Sequence, residues 1–146
     1  MATAPENDRI LQALARAPEL MTAFSNKLQI RDERPNLHAL IVEDQSFSRR
    51  LMQEMLHDFC TVDAAEGVKD GLQHYLHSAP HIAFLDIELA EDDGHMLAHI
   101  IKTIDPDAFV VMVTGNHTAA DVATAQANQI DGYIVKPFSK QKIMTC

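Results

Sequence analysis

The sequence predicts an α/β fold in which a five-stranded parallel sheet follows an N-terminal helical extension. Two observations carry the prediction. From residue 37 onward, short apolar runs alternate with segments of helical periodicity, the pattern of βα units building a parallel sheet. Before that point the apolar residues recur at helical spacing only, and RDERPN at residues 31–36 combines charges with Pro35 where the two patterns meet. The chain therefore divides into residues 1–36, a helical extension and linker, and residues 37–146, a sheet domain with a short last helix.

In the extension, Ile10, Leu14, Ala17, Met21, Phe24 and Leu28 alternate spacings of four and three, an apolar stripe along a helix. Pro18 interrupts the stripe. Its ring either opens a second helix at the first turn, where the missing N–H does no harm, or kinks one long helix. The stripe suits two readings equally: a cover for the domain's own apolar surface, or a seam with a second copy of the chain in a homodimer or with another partner. Strands are predicted at residues 37–42, 61–64, 82–85, 108–113 and 133–135. Between them, Phe47, Leu51, Met52, Met55, Leu56 and Phe59 mark one helix, and Val68, Leu72, Tyr75 and Leu76 mark the next. Met96, Leu97, Ile100, Ile101 and Ile104 mark a third. The helix expected within residues 118–128 is alanine-rich, with Val122 its only large aliphatic residue, so it should grip the sheet weakly.

At 146 residues, 47% hydrophobic and 23% charged, the chain suffices for one soluble globular domain with an added element. Twelve basic against 21 acidic residues give a formal net charge of −9, and no basic run offsets it. That excludes nucleic acid and anionic membrane as partners, and no DNA-reading motif is present. The longest apolar stretches are five or six residues, far short of a membrane span or a signal-peptide core, which implies a cytoplasmic protein. Cys60 and Cys146 read as one buried and one incidental thiol. His74 with His77, and His95 with His99, lack a third nearby ligand and read as structural or solvent-facing. Arg49 and Arg50 read as a solvated face.

In an open parallel sheet, ligands bind at the carboxyl edge of the strands, near the point where strand order reverses. Glu43 and Asp44 follow the first predicted strand and Asp86 follows the third. If those strands are neighbours, three carboxylates converge, a costly arrangement unless protons or a cation share the site. Such hard oxygen ligands suit Mg2+, which keeps part of its water. A carboxylate held beside a cation can act as a nucleophile toward phosphorus. Phosphoryl transfer then requires positioning and charge neutralisation, and Lys136 after the fifth strand and Thr114 after the fourth bring an ammonium and a hydroxyl to the same edge.

The segments LIVEDQSFSRRLM, FLDIELAEDDG, VVMVTGN and GYIVKPF resemble the receiver domains of two-component response regulators, chemotaxis regulators among them, from about Leu37 to the C-terminus. The resemblance implies a flavodoxin-like, doubly wound sheet in the order 2-1-3-4-5. It also implies that Asp86 accepts the phosphoryl group and that Asp44 and Asp86 bind Mg2+ through their side chains. Glu88 would add its backbone carbonyl and Glu43 a contact through water. Lys136, followed by Pro137, would neutralise phosphoryl oxygens, Gly94 would be the glycine of the loop after the phosphoacceptor, and Thr114 and Tyr133 would form the switch. The donor implied is a phosphohistidine on a histidine kinase or phosphotransfer protein. Phosphorylation would draw the Thr114 hydroxyl inward, let Tyr133 follow, and remodel the surface that a downstream protein target reads. Such a chain catalyses only its own phosphorylation and dephosphorylation and is not otherwise an enzyme.

The pattern departs from the family at a few places. Ala90 stands where many receivers carry proline, Glu88 and Asn116 occupy positions that tune acyl-phosphate hydrolysis, and the last helix, residues 139–146, is short. Two other readings compete. A degenerate receiver would act only as an interaction or dimerisation module, and the intact acidic set argues against it. An aspartyl-nucleophile phosphatase wants an aspartate two residues past the nucleophile as acid/base, and Glu88 holds that place.

Overall fold

The computed structural model describes residues 4–89, 93–115 and 119–136; Ala90, Asn116, Pro137 and the expected last helix lie outside them. Helices α1 (Ala4–Ala15) and α2 (Pro18–Ile30) lead into a single 3-10 turn at Arg31–Glu33. There follow β1 (His38–Val42), α3 (Ser46–Leu56), β2 (Thr61–Ala65), α4 (Val68–Ser78), β3 (Ile82–Asp86), α5 (Gly94–Ile104), β4 (Val110–Thr114), α6 (Ala119–Ala127) and β5 (Gly132–Val135). Every strand pairing is parallel and the order is β2-β1-β3-β4-β5, the doubly wound arrangement that the resemblance implies.

Alternate strand residues supply two cores. Leu40, Val42, Leu85, Val110 and Met112 join Tyr75 of α4 and Leu97 and Ile101 of α5 on one face. Ile41, Phe84, Val111 and Val113 join Met52 and Leu56 of α3 on the other. Burial on both faces is why the strands read as continuous apolar runs. β3 and β4 each run one residue past the predicted apolar stretch, ending on Asp86 and Thr114. β4 also starts later than predicted, because the Ala108 N–H is tied back to the Asp105 carbonyl in the preceding turn. No helix among the described residues is long and apolar enough to cross a membrane.

Pro18 opens α2 at its first turn, with Ala17 as the N-cap. The stripe then turns inward: Leu14 and Phe24 are buried in the core shared with α4 and α5, and Ile10, Leu11, Met21 and Leu28 pack around them. Phe24 meets Tyr75 with ring centroids 5.9 Å apart in a tilted pair. This face is occupied within the chain, so a seam with a second copy would have to displace it.

Residues 31–36 do more than link. Arg31 is buried and paired with Asp105 at 2.7 Å, and the Tyr75 hydroxyl donates to the same carboxylate oxygen at 2.6 Å. Around it, three cations of the extension cap the chain as it leaves α4. Lys27 donates to the His77 carbonyl at 2.6 Å, Arg34 to the Ser78 carbonyl at 2.8 Å and also to Ala79, and Arg31 to Pro80 at 3.2 Å. The last carbonyls of a helix have no N–H partner within it and carry the negative end of its dipole, so cations are favoured there.

Candidate functional site

The strand order reverses between β1 and β3, and Val42 pairs with Leu85 in register, so the next residues, Glu43 and Asp86, face each other at the carboxyl edge. Glu43, Asp44 and Asp86 place carboxylate oxygens within 4.8 Å of one another, and among the described residues no other group of three potential ligands comes as close. The Lys136 ammonium reaches in from the end of β5, 2.5 Å from Glu43 Oε1 and 3.5 Å from Asp86 Oδ2. Glu43 also accepts the Gln45 N–H at 3.3 Å, and Asp86 accepts the Glu88 N–H at 3.1 Å.

The crowding shows in the protonation of the site. Burial, followed by the hydrogen bond and charge of Glu43, pushes Asp86 up to about 7, against the opposing pull of Lys136 and the Glu88 N–H. Burial would raise Glu43 too, but hydrogen bonds from Asp86 and Lys136 and the charge of Lys136 outweigh it and hold Glu43 below the usual range. Burial works against the charge of Lys136, and Glu43 and Asp86 overcome it and leave the ammonium raised. Among the described residues the Lys136 ammonium lies against Glu43 and Asp86, with the Asp44 carboxylate close to both, and a proton on Asp86 relieves the crowding. That donor set, hard oxygens with surplus negative charge, fits a divalent cation.

Arg49 holds this arrangement from behind. It donates to the carbonyls of Glu43 at 3.0 Å and Asp44 at 3.3 Å and pairs with Glu66 at 3.2 Å. Arg50 is exposed, as a solvated face requires, but Arg49 folds back onto the loop. Nothing in local spacing distinguishes the two, because the difference depends on Glu66 arriving from the end of β2.

Thr114 ends β4 fully buried, and its hydroxyl donates to Glu88 Oε1 at 3.0 Å. Its carbonyl accepts the Lys136 N–H at 2.7 Å, which ties the two strand ends together. Tyr133 is half-buried in β5, and burial, then the negative charges of Asp121 and Glu88, raise its phenol. The five residues singled out at strand ends, Glu43, Asp44, Asp86, Thr114 and Lys136, thus lie along one edge. The Glu88 side chain, which the sequence places only at a position that tunes hydrolysis, joins them through Thr114.

Gly94 brings α5 against this edge. Its N–H donates to the Ile87 carbonyl at 2.9 Å, and a Cβ at this position would lie 1.9 Å from the Asp86 carbonyl oxygen. Gly94→Ala is therefore expected to cost stability toward the upper end of about 1–3 kcal/mol, read from the midpoint of urea unfolding. An unchanged midpoint would show that α5 withdraws freely.

The alanine-rich helix α6 is held lightly, as its composition predicts. Ala125 is the one buried residue among its described side chains. Polar contacts from α5 add to this: His95 Nε2 lies 3.2 Å from Asp121, and Asn128 donates to the His95 carbonyl at 3.3 Å. His95 is buried and His99 exposed, while His74 lies beside Asp63 and Asp70, and among the described residues neither histidine pair belongs to a group of three close metal ligands.

The chain matches the family model described as Response regulator receiver domain over residues 39–146. It is 32% identical over 113 residues to the sensory transduction protein LytT of Bacillus cereus, covering 74% of this chain and 44% of that one. It is also 32% identical over 106 residues to the chemotaxis protein CheY of Halobacterium salinarum, covering 72% and 88%. The chain spans under half the length of the LytT relative. Among solved structures, a CheY-like receiver domain protein from Methanospirillum hungatei superposes with a TM-score of 0.72 at 22% identity, over 75% of this chain and 89% of that one. A chain of the CheX-CheY-BeF3-Mg complex of Borrelia burgdorferi gives 0.70 at 23% identity, over 75% of this chain and 84% of that one. With the acidic cluster at the reversal point of a 2-1-3-4-5 sheet, these matches agree: the chain belongs to the response regulator receiver domain family, the CheY-like modules of two-component signalling.

Proposed function

We propose that this chain is a phosphoryl-accepting switch in which Asp86 takes the phosphoryl group from a phosphohistidine on a histidine kinase or phosphotransfer protein in the cytoplasm. The observation that supports it most is the convergence of Asp86 with two further carboxylates and Lys136 at one strand edge. Ionised Asp86 attacks phosphorus through a carboxylate oxygen as the P–N bond breaks, and the electron pair goes to the imidazole nitrogen of the donor. Lys136, 3.5 Å from Asp86 Oδ2, is placed to neutralise charge on the phosphoryl oxygens. Asp44 and Asp86 side chains, the Glu88 backbone carbonyl and Glu43 through water would hold Mg2+, which supplies further charge neutralisation when bound. Thr114, at the carboxyl end of β4, and Tyr133, within neighbouring β5, would pass the new charge to a surface read by a downstream protein target.

The test is Mg2+-dependent labelling with a small-molecule phosphodonor. Wild type should take up label, and chelation or Asp86→Asn should abolish it. Absence of label in the wild type, or label that survives Asp86→Asn, would overturn the proposal.

A further inference from the structure

The switch reading uses Glu88 only through its backbone, yet its carboxylate is engaged. Glu88 lies two residues past Asp86 and is anchored there by its own N–H on Asp86 Oδ1 and by a bridge to Asp93. From that anchor its side chain crosses to β4 and accepts the hydroxyl of Thr114 at 3.0 Å. We propose that Glu88 is a positioning residue that latches the resting switch: its carboxylate holds the Thr114 hydroxyl, and a phosphoryl group on Asp86 must take that hydroxyl from it.

The inference rests on the phosphoryl-accepting reading and follows from hydrogen-bond chemistry. A threonine hydroxyl has one proton to donate, so it serves the Glu88 carboxylate or a phosphoryl oxygen, not both at full strength. A bond to an ionised acceptor is stronger than one to a neutral acceptor, and the buried setting of Thr114 strengthens it further. Asp86 pairs in register with Val113, the residue before Thr114, so both competing acceptors approach Thr114 from the β3 side. Activation then exchanges one anionic acceptor for another, and the net drive is small. Glu88 is itself exposed, so its released carboxylate returns to water without leaving a buried charge behind. The same carboxylate also acts electrostatically on Tyr133, so release would be felt at both switch residues.

The test uses the full chain carrying 3-fluorotyrosine. The sequence has two tyrosines, and buried Tyr75 serves as the internal reference for Tyr133 in fluorine NMR. Beryllium fluoride, a phosphoryl mimic, is titrated in the presence of Mg2+. Glu88→Ala should half-saturate at about tenfold lower beryllium fluoride than wild type. Glu88→Gln, which keeps an acceptor without the charge, should fall between them. In a Thr114→Ala background, Glu88→Ala should move the midpoint by less than about twofold. Equal shifts in Glu88→Ala and Glu88→Gln, a shift that persists without Thr114, or no shift at all would overturn the latch while the wild type still responds. A wild type indistinguishable from Asp86→Asn across the titration would instead overturn the phosphoryl-accepting reading and the latch with it.

Discussion

Replacing Asp105 with alanine is expected to lower the stability of the fold by about 3–5 kcal/mol. One Asp105 oxygen accepts both Arg31 Nη1 at 2.7 Å and the Tyr75 hydroxyl at 2.6 Å, in a site where the aspartate is 2% exposed. Burial works against the charge on Arg31, and the hydrogen bond and charge of Asp105 reverse that effect. Without the carboxylate, a guanidinium remains in a poorly hydrated site with neutral partners among the described residues, the Pro80 carbonyl at 3.2 Å and the Tyr75 phenol. The loss falls on the joint between the N-terminal extension, which supplies Arg31, and the receiver, which supplies Tyr75 and Asp105. Replacing the set together, with Arg31→Met, Tyr75→Phe and Asp105→Leu, should cost far less, because no charge is then stranded. Urea unfolding reads both variants. A single variant within about 1 kcal/mol of wild type would show that Leu14 and Phe24 hold the extension without the ion pair.

The second large effect is the pH dependence of metal binding. Mg2+ affinity is expected to fall about tenfold for each pH unit below 7, because binding through Asp86 displaces one proton. The sign follows from the shift: Asp86 is raised from 3.8 to about 7 in the fold. In the metal-free chain this group contributes stability below the lower value and loses it as pH rises toward 7. A Mg2+ ion held through Asp86 would select the deprotonated form, so its stabilising effect would grow over the same window. Calorimetry in buffers of different ionisation enthalpy would read both the affinity and the proton released. Asp86→Asn should bind more weakly and with a flat profile over that range. A flat profile in the wild type would show that Asp86 is already ionised or is not a ligand.

The sheet and its acidic edge are legible in the sequence because each site residue stands at the end of an apolar run. Glu43 follows Val42, Asp86 follows Leu85, Thr114 follows Val113 and Lys136 follows Val135. Parallel βα connections place all strand ends on one edge, so four local patterns combine into one site. What stays hidden depends on pairs far apart in the chain. Arg31 meets Asp105 across 74 residues, from a segment whose charges and proline read as a linker. Lys27, Arg31 and Arg34 look like ordinary surface charge until the end of α4 presents them with carbonyls. Glu88 and Thr114 lie 26 residues apart, and the contact depends on the direction of one side chain, which periodicity does not encode.

The most direct test of phosphoryl transfer to Asp86 is to incubate the chain with a phosphohistidine donor, reduce with borohydride and locate the product by peptide mass spectrometry. Reduction converts an aspartyl phosphate to homoserine at the position that carried it. Homoserine at position 86 alone is the expected result. Reduction product at Glu43 or Asp44, or none under conditions that discharge the donor, would contradict it.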